Sequence, residues 1–250
     1  MKALKMPFFY HFGRYLMMLG RCFARPERFV MYWKELLRQM TQIGVGSLGI
    51  ISVMSLFIGA VTAVQFSYQL QDTFVPTWWI GFIVRNSMIL ELAPTFSSLL
   101  LAGKVGSHLA SELGSMRNTE QIDALEIMGV NTYGYLVGPK ILAAIIVFPL
   151  LIIFSVFFGI IGGLLAGISI GLYSVPEYVR GLQDELNPLD VQVMFLKTIT
   201  FAFIITSISC YQGFYVSGGA LEIGKASTRA VVFSSIVLII SNFIIAALIL

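Results

Sequence analysis

A few residues with chemically active side chains stand inside the long apolar stretches of this sequence. The sharpest is Glu91, a carboxylate in the middle of an apolar run, three residues before Pro94. Arg85 precedes it by six residues, nearly two helical turns, which puts the pair on roughly opposite or flanking faces of a helix. Gln65 closes an earlier apolar run with Tyr68 one turn beyond, and Lys197 stands near the start of a later one. Ionisable groups are costly in hydrocarbon and face a cavity or a partner. Glu91, Arg85, Gln65 and Tyr68 therefore have two readings. They form a polar lining for a cavity that takes an amphipathic ligand, or Arg85 snorkels outward and Glu91 bonds to another helix. Lys197, nearer an interface, reads as a snorkelling side chain.

Other chemistries lack their residues. The two histidines, His11 and His108, are far apart and no HExxH pattern occurs, so no metal site is expected. Cys22 falls in the basic N-terminal part and Cys210 in an apolar run, so no disulfide is expected. Leu19 to Cys22 lacks an uncharged core before it and has Arg21 beside the cysteine, so no cleaved leader is read there. Residues 219–226, GALEIGKA, approach a phosphate-binding loop. Ala226 stands where the magnesium-binding hydroxyl belongs, and an apolar run rather than a strand precedes it. Lys225 and Arg229 read instead as basic residues at a membrane edge. No catalytic group, bound cofactor or nucleic-acid partner is expected of the chain.

The elements that position these residues are membrane spans. The sequence is 57% hydrophobic and 12% charged, against about 25% charged for a soluble domain, and its mean hydropathy is +0.86. A helix needs ~20 apolar residues to cross ~30 Å of hydrocarbon. Five stretches qualify, at 44–66, 78–102, 141–170, 191–214 and 230–250. We therefore expect one all-α membrane domain over 1–250, with 1–42 as helices at the membrane surface. In that region Phe8, Phe9, Phe12, Tyr15 and Leu16 share one helical side, away from Arg14 and Arg21. Pro26 opens a second helix with Phe29, Val30, Trp33, Leu36 and Leu37 on one face and Lys34 and Arg38 on another. This is an interfacial anchor or a soluble helical cap on the bundle.

Charge sets the orientation. Eight of the sixteen Lys and Arg precede residue 40. With the N-terminus in the cytoplasm, thirteen lie on that side, including Lys104, Arg117, Lys140, Lys225 and Arg229. The outer loops then hold Arg180 alone against Asp72, Glu177, Asp184, Glu185 and Asp190. That satisfies the positive-inside rule and places Trp78 and Trp79 at the outer interface. The C-terminus lies outside.

The polar stretch 103–140, between the second and third spans, is then cytoplasmic. Asn118 followed by Gln121 reads as a helix start. Ile122, Leu125 and Met128 make a narrow apolar stripe beside an acidic one of Glu120, Asp123 and Glu126. Gly129 is a natural C-cap, and Pro139 forbids long continuation. Lipid-surface helices are usually basic, so an acidic amphipathic helix here points to a protein partner. In the third span Gly159, Gly163, Gly167 and Gly171 recur every four residues, a bare ridge for tight helix packing within or between subunits.

Two blocks of residues resemble the MlaE (YrbE-type) permeases, the membrane subunits of ABC transporters that work with MCE proteins. The first block is Glu112-Leu-Gly114-x-Met116, Thr119-Glu120-Gln121, Ala124-Leu125-Glu126-x-Met128-Gly129 and Leu136-x-x-Pro139-Lys140, preceded by Ala102-Gly103-Lys104-x-Gly106-Ser107. The second is Gly219-Ala220 with Gly224-Lys225-Ala226-Ser227-Thr228-x-Ala230-Val231-Val232. Phe57-Ile58-Gly59 and Gln65 fit the first span, and the likeness runs from about Pro26 onward. The resemblance implies an N-terminal interfacial helix plus five spans in a homodimer. It implies a coupling region at 107–129 gripping a cytoplasmic ABC ATPase that binds the ATP and magnesium. Glu112, Gly114, Met116, Glu120, Ala124, Leu125, Met128 and Gly129 carry that role over. It further implies phospholipid, or another hydrophobic molecule, moving between a bacterial inner membrane and a periplasmic MCE protein through a cavity between two copies. Leu90 replaces the family's cavity arginine beside Glu91, and Arg85 substitutes for it only with a local rotation of the helix or a ligand that sits higher. Asn131-Thr132 replaces the usual Asp-Pro, and Lys104 a common arginine. The rival readings are an ATP-independent secondary transporter or channel, an intramembrane enzyme, and a structural scaffold of an envelope complex. The first lacks inverted repeats and the second a catalytic cluster.

Overall fold

The computed structural model describes residues 7–22, 29–70, 75–185 and 187–249, with the side chains of 7, 8 and 29–31 excepted. Pro26, Asp72 and Leu250, and the side chains of Phe8, Phe29 and Val30, thus lie outside the described residues. Helices follow one another as α1 (Pro7–Cys22), α2 (Phe29–Leu70), α3 (Trp79–Ser87), α4 (Ala93–Leu101), α5 (Ser107–Asn118), α6 (Gln121–Ile127), α7 (Gly138–Ile170), α8 (Val175–Gln183), α9 (Pro188–Phe214) and α10 (Ala220–Ile249). Wider π turns at Met88–Leu92, Ala102–Gly106 and Tyr133–Val137 join α3 to α4, α4 to α5, and lead into α7. No strand occurs among the described residues. Among the described residues, five helices are long and apolar enough to cross a membrane: Tyr32–Leu70, Trp79–Asn118, Tyr133–Ile170, Pro188–Phe214 and Ala220–Ile249. The chain is a multi-pass membrane protein.

These helices outrun the apolar stretches that nucleate them. Residues 29–42 are no separate surface helix, because α2 runs unbroken into the first span. Lys34, Glu35, Arg38 and Gln39 hold helical backbone as well as apolar residues do, and Gln39 donates to Glu35 one turn back at 2.8 Å. Nor does Pro139 end a helix. A proline clashes with the carbonyl four residues earlier. The π turns just before Pro94 and Pro139 widen the backbone there, so both helices pass through their prolines.

The contacts divide the chain into two compact units. The first comprises Met1–Gln42, Ala102–Ala144 and Phe203–Val237. In it, the inner face of α1 docks on α9 through Tyr15 and Ser207 at 2.8 Å and His11 and Tyr211 at 2.8 Å. The Arg14 guanidinium lies 3.7 Å from the centre of the Tyr215 ring. The outer face leaves Phe9, Phe12, Leu16 and Met17 exposed. Burial pushes the Cys22 thiol at the end of α1 up to about 11, so it keeps its proton at neutral pH.

The second unit comprises Ile43–Leu101, Ile145–Ala202 and Leu238–Leu250. The glycine ridge of α7 packs inside it. A Cβ on Gly59 would overlap the Gly159 carbonyl, and one on Gly162 the Leu56 carbonyl, so α2 and α7 touch backbone to backbone. Gly163 and Gly167 make room for Tyr178 and Tyr173, whose hydroxyls donate to Ile160 at 3.1 Å and Gly163 at 2.6 Å. Gly171, at φ +76°, closes the helix. A buried chain of hydroxyls, Ser55 to Ser155 at 2.7 Å and Ser155 to Ser97 at 2.8 Å, ties three spans together.

Candidate functional site

Glu91 sits in the π turn Met88–Leu92. Pro94, four residues after Leu90, has no N–H to give the Leu90 carbonyl. Lys197 of α9 supplies the missing donor. Its Nζ donates to Leu90 O at 2.9 Å and to Glu91 Oε2 at 2.6 Å. Thr95 Oγ1 donates to Glu91 Oε1 at 3.1 Å, and Asn242 Nδ2 of α10 donates to the same oxygen. The Lys197 side chain is 0% exposed, whereas that of Glu91 is 46% exposed. The ammonium is therefore structural, and the carboxylate is the face that the cluster shows outward.

This corrects the reading of Lys197 as a snorkelling side chain. A buried ammonium holds its charge only when paired and hydrogen-bonded, and both conditions are met 106 residues away in sequence. The usable signal was the combination of a mid-span carboxylate and a carbonyl orphaned by proline. Asn242 carried no signal of its own.

Arg85 does not join Glu91. It is buried, and its guanidinium donates to the carbonyls of Leu182 at 2.7 Å, Asp184 at 2.6 Å and Glu185 at 3.2 Å. It thus holds the chain at the C-terminal end of α8, where carbonyls lack helical partners and the dipole favours a cation. Arg85 is no outward snorkel, and its guanidinium is turned to these carbonyls rather than to Glu91. Gln65 and Tyr68 lie on the exposed side of α2, not against Glu91's partners. At the other end of α8, Ser174 and Glu177 form a capping box. The Ser174 backbone N–H and hydroxyl, with the Thr77 hydroxyl, hold the Glu177 carboxyl below its ordinary range.

The connection between spans two and three forms the second place of interest, within the first unit. The region 107–129 is not one helix. Helix α5 continues the second span to Asn118, and Glu120, at φ 59°, breaks it before α6. Asn118 therefore ends a helix rather than capping one; Glu120 occupies the N-cap of α6. Two bonds close the far end: Gly129 N–H to Glu126 O at 3.0 Å and Val130 N–H to Leu125 O at 3.1 Å, with Gly129 at φ +81°. Asn131 Oδ1 then accepts from Gly134 N–H at 3.3 Å and starts the next span.

The expected coupling residues separate on this frame. Glu112 accepts from buried Lys140 at 2.5 Å with His108 3.9 Å away, and Gly114 packs against Val216 and Ile223. Both belong to the packing of their unit. Met116 and Leu125 are half-buried, while Glu120, Ala124, Met128 and Gly129 are exposed. One cation reaches the acidic stripe: Arg117 lies 2.7 Å from Asp123 and 3.9 Å from Glu126. The apolar stripe also splits: Ile122 is buried, while Met128 is 68% exposed and its neighbour Ile127 88%. A stripe of three-residue steps from Ile122 passes over Ile127, so this most exposed side chain escaped the periodicity. The near phosphate-loop at 219–226 is the start of α10, where Lys225 pairs with Glu222 at 2.6 Å.

Comparison with known proteins places this arrangement. The model of the family described as Permease MlaE matches residues 36–248. A probable ABC transporter permease protein of Rickettsia bellii is 39% identical over 218 residues, 87% of this chain and 84% of the relative. One from Synechocystis is 34% identical over 210 residues, 84% of this chain and 80% of the relative. The intermembrane phospholipid transport system permease protein MlaE of Haemophilus influenzae is 32% identical over 243 residues, 96% of this chain and 92% of the relative. A family match over residues 36–248, with relatives 39% and 32% identical along most of their length, makes this chain a member of the MlaE permease family.

Proposed function

We propose that this chain is the membrane subunit of an ABC transporter that moves phospholipid, or another hydrophobic lipid, between the bacterial inner membrane and a periplasmic MCE-domain protein. It works as a homodimer, with its N-terminus cytoplasmic and its C-terminus periplasmic. A separate cytoplasmic ATPase binds the ATP and magnesium, and this chain makes no covalent chemistry. The names of the Rickettsia and Haemophilus relatives support the transporter class and the cargo. The charge asymmetry of the loops supports the orientation. The homodimer rests on the resemblance of the two residue blocks to the family.

One observation carries the coupling role. The exposed pair Ile127 and Met128 stands at the end of a short helix held by the Arg117–Asp123 pair and the Gly129 turn. Two large apolar side chains fixed at the tip of a rigid lever suit the groove of another protein. Closure of the ATPase pulls two such levers together and changes the shape of a lipid site that Glu91 lines. Transport then requires that the lipid bind the two states with different affinity.

The test replaces both Ile127 and Met128 by Asp and measures co-purification of the ATPase. Burial of each side chain contributes roughly 1.5–3 kcal/mol, so the complex should weaken at least about a hundredfold. Both side chains are exposed, so the spans should keep their detergent stability. Undiminished recovery of an active ATPase with the double variant would overturn the docking role.

A further inference from the structure

The hydrogen-bonding capacity left over around Glu91 is one-sided. Lys197 is sealed from the surface, with its charge given to Glu91 and the Leu90 carbonyl. Arg85 is committed to three carbonyls of another segment. What remains is acceptor capacity. An ionised carboxylate has about four lone-pair positions, and the donors to Glu91 among the described residues are Lys197, Thr95 and Asn242. Its side chain is open on one side. Asn242 turns Nδ2 toward this carboxylate, and the reverse orientation would set two acceptors against each other. Its Oδ1 is left buried with no donor among the described residues. A buried amide oxygen of that kind calls for a donor or an ordered water.

We propose that the head group received at Glu91 is a primary ammonium, as in an ethanolamine phospholipid, and that Asn242 fixes the carboxylate that reads it. The proposal rests on the reading of Glu91 as the lining of a lipid site. A primary ammonium brings positive charge and three N–H donors. One meets the open side of Glu91. A quaternary ammonium brings charge without N–H. A phosphate or a carboxylate brings only acceptors to a group that has acceptors left over. An anionic glycerol head has hydroxyl donors but no cation to offset its phosphate, so its net charge opposes that of Glu91.

The experiment equilibrates the complete transporter complex with vesicles containing equal amounts of ethanolamine, choline and glycerol phospholipids of identical acyl chains. Lipid retained after purification is quantified by mass spectrometry for the wild type, Glu91→Gln and Asn242→Leu. A hydrogen bond to a charged acceptor sets the scale, so the wild type should retain the ethanolamine lipid about tenfold over the choline lipid. It should prefer it over the glycerol lipid as well. Asn242→Leu should narrow that preference, and Glu91→Gln should bring it close to one. Equal retention of ethanolamine and choline lipids by the wild type, or a preference for the glycerol lipid, overturns the proposal. So does a preference that survives Glu91→Gln. If Glu91→Gln still lowers total retained lipid in those cases, the cavity reading stands without the head-group inference. Total retention indifferent to Glu91 removes both. The wild-type comparison decides the proposal even where a variant does not fold.

Discussion

Replacing Glu91 by alanine removes the counter-charge of an ammonium that is wholly buried, while Leu90 O still accepts from it. Stranding such a charge costs about 3–5 kcal/mol. Replacing Lys197 by methionine is the milder change. It fills the same volume with apolar atoms and orphans the Leu90 carbonyl, at about 1–3 kcal/mol. The remaining carboxylate is nearly half open and keeps its bonds from Thr95 and Asn242. The double variant has no lone ammonium, so its cost should approach that of Lys197→Met alone. The coupling energy should then equal the Glu91→Ala cost, about 3–5 kcal/mol. Unfolding free energies of the four proteins in mixed detergent micelles complete the cycle. Single-variant costs that are equal, and that add to within about 0.5 kcal/mol, would refute the structural role given to Lys197. A Lys197→Met cost above that of Glu91→Ala would show that the open side of the carboxylate meets no water or polar ligand.

Three further outcomes follow from single contacts. Arg85→Ala should free the end of α8, raising hydrogen exchange over residues 178–185 at least tenfold, with exchange in α9 unchanged. Gly59→Leu should separate α2 from α7, because the nearest atoms are the Gly159 backbone and cannot move aside; a loss of at least 2–3 kcal/mol, roughly that of an overpacked core, is the expected result. The capping carboxylate of Glu177 is held below its ordinary range, so its stabilisation of α8 is present above the unfolded carboxylate value. It is lost as pH falls through the depressed one. Hydrogen exchange in α8 should rise on acidification in the wild type, and Glu177→Gln should flatten that response.

Much of the architecture was legible because hydrocarbon imposes it. Five long apolar runs mark the spans, and Gly129 marks the turn after α6, since its positive φ suits glycine. Where the helices stop was less legible. Polar residues such as Lys34 and Ser107–Asn118 extend a span once it is nucleated, and π turns carry helices through Pro94 and Pro139. The partner of Glu91 was hidden for a different reason. Lys197 and Asn242 meet it across 106 and 151 residues, and no local spacing reports a contact of that range. Glu112 and Gly114 match the family block, yet their contacts place them in packing, whereas Ile127 lies within the same block and stands in the open.

The central claim is that a nucleotide-driven partner pulls on α6 to move lipid past Glu91. Its most direct measurement is release of labelled phospholipid from vesicles to an acceptor protein by the reconstituted complex, with and without ATP. The account predicts ATP-dependent transfer that falls to background when Ile127 and Met128 become Asp. Transfer at the same rate without ATP, or unaffected by that substitution, would contradict it.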